Sequence, residues 1–125
     1  MKPQARPITT STARPAQKAV AERGHVYWAQ LDPTIGSELQ KTRPVVVVSI
    51  TPLNRARNTV VVVPLSTSAP AIEHLSVPLT GGSTARCEHV RSIDKSRLRQ
   101  KLGSLALADM QAIEKGLSRI MALGH

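Results

Sequence analysis

Two stretches decide the architecture: PVVVVSI at residues 44–50 and TVVVVPL at residues 59–65. Each carries four consecutive valines, which are stiff at χ1 and favour extended backbone. Successive side chains of a strand point to opposite faces, so a run without polar alternation needs both faces covered. Both segments are therefore predicted as central strands. The linker between them, TPLNRARN at 51–58, carries Pro, Asn and two arginines and reads as a turn.

Weaker elements flank this pair. Residues 25–31 (HVYWAQL) predict a strand ended by Asp32-Pro33-Thr34, and 35–43 (IGSELQKTR) a polar loop. Residues 74–79 (HLSVPL) predict a strand closed by Gly81-Gly82, and 85–93 (ARCEHVRSI) alternate well enough for another. Residues 94–98 (DKSRL) read as one helical turn, followed by a short strand around Lys101 and Leu102. Leu107, Met110, Ile113, Leu117, Ile120 and Met121 recur at spacings of three and four, the stripe of an amphipathic helix. Asp109 near its start and Lys115 and Arg119 toward its end suit the helix dipole, although Ala106-Leu107 offers no Ser or Asp cap. Closely spaced strands followed by one helix predict a mainly β fold, a small, strongly bent antiparallel sheet or barrel with a C-terminal helix.

With 125 residues the chain is long enough for one domain with a modest core, which must be aliphatic because there is one Trp, one Tyr and no Phe. Residues 1–21 are rich in Pro, Ala, Thr and basic side chains, without a sustained apolar period. They predict a flexible basic leader ahead of a folded domain at 22–125. The single cysteine, Cys87, excludes an internal disulfide framework and suits a reducing cytoplasm. No apolar run approaches the ~20 residues of a membrane span. The formal net charge of +9 points to a polyanionic partner, most simply a nucleic acid.

His25, His74 and His89 are scattered, no closely spaced acidic pair suits a two-metal nuclease, and no phosphate-cradling glycine loop is present. No metal and no cofactor are expected. RNA still allows cleavage, because the ribose 2′-OH is an internal nucleophile beside its own phosphate. A protein then has to align that attack, stabilise charge gathering on phosphorus and move protons. A guanidinium suits the second task through its planar, bidentate donors. Arg43 stands between the polar loop and the first valine strand, where an ordinary loop arginine and a phosphate-binding one both fit. Ser66 and Thr67 close the second valine strand, where hydroxyls cap turns or hold phosphate oxygens. Arg86, Arg91, Arg97 and Arg99 are compatible with phosphate contact or a solvated face. Cys87 and Trp28 are read as core residues; Trp28 stacking on a base is the alternative.

Three segments make the chain resemble a known family. They are Arg23-Gly24-His25-Val26-Tyr27-Trp28, Leu31-Asp32-Pro33-Thr34-Ile35-Gly36-Ser37-Glu38, and Thr42-Arg43-Pro44-Val45-Val46-Val47-Val48-Ser49. With Val62-Val63-Pro64-Leu65-Ser66-Thr67, Val90-Arg91-Ser92-Ile93-Asp94-Lys95-Ser96-Arg97-Leu98 and Lys101-Leu102-Gly103, they resemble the MazF/PemK family of toxin endoribonucleases, in order and with its spacing. The resemblance covers roughly residues 22–123. It implies an SH3-like barrel, a homodimer, and cleavage of single-stranded RNA at a short sequence to leave a 2′,3′-cyclic phosphate and a 5′-hydroxyl. It also implies a labile MazE-like antitoxin protein that covers the RNA groove with an acidic segment. By position, Arg43 matches the principal catalytic residue and Ser66 the assisting hydroxyl. Gly36, Ser37 and Glu38 fall beside the RNA groove, and Thr42, Thr67 and Arg91 are expected to contact RNA.

Four positions depart from the family pattern. His25 replaces an Asp, His89 a Gln and Ser66 a Thr, while Leu39-Gln40-Lys41 replaces a glycine-containing loop. The two histidines raise a base-and-acid pair as an alternative to simple surface substitution. Arg43 stays protonated, so its expected role is charge stabilisation, and the general base is unassigned. Two other functions are compatible with the chain. One is a non-catalytic toxin of the related CcdB type that binds DNA gyrase, and the other is a basic nucleic-acid-binding module without catalysis.

Overall fold

The computed structural model describes residues 20–31, 42–67 and 76–124. The predicted turn at Asp32-Pro33-Thr34, the loop residues Gly36, Ser37 and Glu38, and His74 lie outside the described residues, as do residues 1–19 of the predicted leader.

Three strands form the centre: β1 (His25–Gln30), β2 (Thr42–Val47) and β3 (Thr59–Ser66). β2 pairs antiparallel with both neighbours, Val46 opposite Val26 on one side and Val63 on the other. The valine runs are buried on both faces, as their lack of alternation predicted. Tyr27, Ala29, Leu31, Val45, Val47, Val60 and Val62 pack with Ile93 on one face. Val26, Val46, Val63 and Leu65 face Met110 and Ile113 on the other. Those last two belong to the terminal helix, α2 (Leu107–Met121).

The remaining strands are short. β4 (Val77–Pro78) and β5 (Thr84–Ala85) form a hairpin, and β5 pairs with the end of β3. β6 (Arg91–Asp94) pairs with the start of β3, while β7 (Leu98–Ser104) pairs with β1. Asp94 therefore lies beside β3 and Leu98 beside β1, with only the 3-10 turn Lys95–Arg97 between them. A link this short holds edges separated by all of β2 only if the sheet is strongly curled. The predicted bent β fold with a C-terminal helix is present. The sheet does not close into a barrel: among the described residues no ladder joins β6 or β4 to β7.

Three local expectations are corrected. Residues 51–58 contain a helix, α1 (Thr51–Ala56), in place of a simple turn. Pro52 is tolerated in its first turn, and fully buried Asn54 anchors it. Asn54 Nδ2 donates to Ala21 O at 2.8 Å and Ser49 O at 3.0 Å, and Ser49 Oγ donates to Asn54 Oδ1. The expected strand at 85–93 is broken by the 3-10 turn Cys87–His89. Pro64 explains the break. Its carbonyl accepts from Arg86 N–H at 2.9 Å, so its nitrogen faces the same edge with no hydrogen to continue the ladder. Finally, β7 spans seven residues rather than a short piece around Lys101.

Along α2, Met110 and Ile113 are buried as predicted, whereas Leu107 is 73% and Met121 49% exposed, beyond the reach of the sheet. Gly116 marks the closest approach, since a Cβ there would lie 2.7 Å from Val77 Cγ2 and 3.0 Å from Cys87 Sγ. Cys87 is a core residue, as read from the sequence. Burial, then neighbouring Glu88, push its thiol up to about 11, with Arg119 opposing.

Candidate active site

Arg43 belongs to β2 itself, not to a loop before it, because the strand begins at Thr42. Arg43 is exposed and pairs with Ala29 of β1. The β2–β3 register sets Val45 opposite Pro64. The ladder ends at that pair; continued by two residues, its register would set Arg43 across from Ser66 and Thr42 across from Thr67. Side chains opposite one another share a face. Arg43 and Ser66 thus lie toward the same end of the curled sheet, in the alternation of the face that buries Val45, Val47, Val60 and Val62.

The burial of the two differs. Ser66 is 7% exposed and Arg43 is open to solvent. No hydrogen bond or ion pair holds the Arg43 guanidinium among the described residues, so its five donors are available to an incoming anion. Thr42 and Thr67 are exposed at the mouth beside them. Arg91 is exposed on β6 and pairs with Val62, four residues before Ser66 on β3. Gly36, Ser37 and Glu38 are outside the described residues.

Glu88, which the sequence did not single out, joins Arg86 and His89 next to this strand end. Ser66 pairs with Thr84 of β5, and Arg86 follows two residues on. Arg86 Nε and Nη2 both donate to Glu88 Oε2, at 3.2 and 3.1 Å. Glu88 Oε1 is buried and accepts no hydrogen bond among the described residues. His89 Nε2 lies 3.6 Å from Glu88 Oε2. The signal was the R-x-E spacing in ARCEH, which reads as strand alternation until the 3-10 turn brings the two side chains together.

His25 is elsewhere. It sits at the far end of β1 from Ala29, with Nδ1 3.4 Å from Tyr27 Oη and Nε2 3.4 Å from Lys101 Nζ. Burial, then the Lys101 charge, lower its pKa from the ordinary 6.5, against a small opposing effect of Glu22. The register does not bring it to the Arg43 mouth, and His89 belongs to a different edge. Trp28, read as core, is 38% exposed on the opposite face of β1 from Ala29. Among the described residues no three His, Cys, Asp or Glu side chains gather as a metal site.

A small curled sheet carries the C-terminal helix on one face, with an exposed arginine and a buried serine at the same strand end. Residues 22–121 match the family described as PemK-like, MazF-like toxin of type II toxin-antitoxin system, and the chain belongs to that family. It is 32% identical over 115 residues to the endoribonuclease PemK of Escherichia coli, covering 84% of this chain and 85% of that one. The fold matches the MazE-MazF crystal structure from Deinococcus radiodurans with a TM-score of 0.75 at 21% identity, covering 85% of this chain and 99% of that one. It also matches an endoribonuclease in complex with its cognate antitoxin from a mycobacterial species, with a TM-score of 0.69 at 24% identity and coverage of 83% and 97%.

Proposed function

We propose that this chain is an endoribonuclease toxin that cuts single-stranded RNA at a short sequence without a metal. The observation that carries this reading is the placement of Arg43 and Ser66 toward the same end of the sheet in a chain of the PemK/MazF family. The 2′-OH gives its proton to a base and attacks the adjacent phosphorus, the 5′-oxygen leaves taking a proton from water, and the products are a 2′,3′-cyclic phosphate and a 5′-hydroxyl. Arg43 holds the non-bridging oxygens and stabilises the charge they gain. Ser66 and Thr67 place hydroxyls beside it, and Thr42 and Arg91 hold flanking RNA. Glu88 is the carboxylate we assign as base, because its Oε1 accepts no hydrogen bond among the described residues and Arg86 fixes its orientation. Gly36, Ser37 and Glu38 are assigned to RNA binding in the same reading.

The protein works in the cytoplasm as a homodimer and is neutralised by an acidic antitoxin segment. A net charge of +9 and the antitoxin complex of a structural relative support that partner. The test is Arg43→Ala assayed on RNA in EDTA. The reading expects wild-type cleavage to persist in EDTA and the variant to lose at least about 100-fold in rate. Equal rates for the two proteins would refute it. Glu88→Gln is expected to lower the rate by about 100-fold with little change in RNA affinity.

A further inference from the structure

The face of the sheet opposite Arg43 carries a second set of exposed groups that the cleavage chemistry does not use. Trp28, the chain's only tryptophan, is 38% exposed, although it lies mid-strand between two buried residues. Pro44 of β2 pairs with it on one side. On the other side the β1–β7 register shifts. Tyr27 pairs with Lys101 and Ala29 with Leu98, so Arg99 and Gln100 both stand across from Trp28. This bulge, one extra residue on β7, re-aims the Arg99 side chain.

Arg99 Nη2 donates to Gln30 Oε1 at 2.8 Å, and its Nη1 donates to Ser96 O at 2.6 Å. Gln30 lies two residues beyond Trp28, on the same face, and pairs with Thr42. Arg99 therefore fixes which way the Gln30 amide points. Its Nε2 carries two N–H donors with no acceptor among the described residues. An exposed indole, an oriented amide beside it and a neighbouring guanidinium supply a stacking surface, hydrogen-bond donors for a base edge and attraction to phosphate.

We infer that Trp28, Gln30 and Arg99 form a nucleobase subsite on the outer face of β1. It takes an unpaired base flanking the scissile phosphate: Trp28 stacks on the base, and Gln30 Nε2 donates to an acceptor on its edge. Ala29, between Trp28 and Gln30 in sequence, is the residue paired with Arg43, so the subsite and the cleavage site share one strand end. A strand of RNA crossing that end meets both. The inference rests on the RNA-cleaving reading for its ligand class, and it assigns Gln30 a part in sequence preference.

The lone tryptophan provides the readout. Wild-type protein is titrated with a mixed-sequence single-stranded 2′-O-methyl oligoribonucleotide, which lacks the attacking hydroxyl and stays intact. Saturable quenching of Trp28 fluorescence is expected. By anisotropy of labelled oligonucleotide, Trp28→Ala should weaken binding by about 5- to 100-fold and Trp28→Phe by much less. Gln30→Leu, assayed on unmodified RNA, should change the spectrum of cut sites while cleavage continues. Binding without quenching, unchanged affinity in Trp28→Ala, or an unchanged cut spectrum in Gln30→Leu would each overturn the subsite. A Trp28→Ala protein that sediments as a smaller species than wild type would also overturn it, assigning this face to contact between copies. Loss of cleavage in every assay with quenching intact would sink the nuclease reading and leave the subsite standing.

Discussion

Thr80 is fastened to Asp109 by two hydrogen bonds, its hydroxyl reaching Oδ2 at 2.8 Å and its backbone N–H reaching Oδ1 at 3.1 Å. Asp109 is 6% exposed in the first turn of α2, and Thr80 begins the turn between β4 and β5. One carboxylate thus faces the positive end of the helix and fixes the hairpin that leads to Arg86 and Glu88. It also explains how α2 tolerates Ala106 as an N-cap with no side-chain bond.

Asp109→Ala is expected to cost about 2–3 kcal/mol, because two bonds to a charged acceptor are lost and Thr80 N–H is left unpaired. Asp109→Asn, which keeps one acceptor oxygen, should lose less. Urea unfolding of the two variants checks both the size and the order of the effects.

Asn54 is the second such clasp, completely buried and bonded to both Ala21 and Ser49, whose hydroxyl also accepts Val61 N–H at 3.0 Å. Asn54→Leu has similar volume but leaves Ala21 O and Ser49 O without their donor. A loss of about 2–4 kcal/mol follows, from desolvated groups rather than a cavity. A denaturation midpoint within error of wild type would contradict this account.

Gly116→Ala places a methyl where Val77 Cγ2 and Cys87 Sγ already sit. Overpacking of this kind is expected to destabilise by about 1–3 kcal/mol. The clash is specific, so adding Val77→Ala should cost less in the Gly116→Ala background than in wild type. A double-mutant cycle measures that coupling.

The pH dependence of stability has a defined sign at His25. Its folded pKa lies below the ordinary 6.5, so the unfolded chain takes up the proton first as pH falls. The stability favouring neutral His25 is fully present above 6.5 and declines below it, until the folded pKa is also passed. Replacing His25 with Gln should flatten that part of the stability curve, as read by thermal unfolding at a series of pH values.

The central strands and terminal helix were legible because their patterns are one-dimensional. An unbroken valine run calls for two covered faces, and the spacing of Met110, Ile113 and Leu117 traces one helical stripe. α1 was not legible, since a six-residue helix with Pro52 and Asn54 has turn composition and depends on bonds to Ala21, 33 residues away. The break at residues 87–89 was hidden because its cause, Pro64, lies on another strand. Trp28 was misread for a related reason: strand alternation says which face a side chain takes, not whether α2 extends far enough to cover it.

For the site, Arg43 was reached through the motif around it, and sequence by itself determined that this arginine and the Ser66 hydroxyl stand at the ends of two buried strands. Only the tertiary structure decided that the two strand ends lie at the same end of the sheet, that Arg86 and Glu88 follow the strand paired with Ser66, and that Trp28 is exposed. Sequence records local preference and periodicity, which follow from backbone sterics and the burial of apolar area. Which strand ends converge depends on register and sheet curl, and those are set by pairings between residues far apart in the chain.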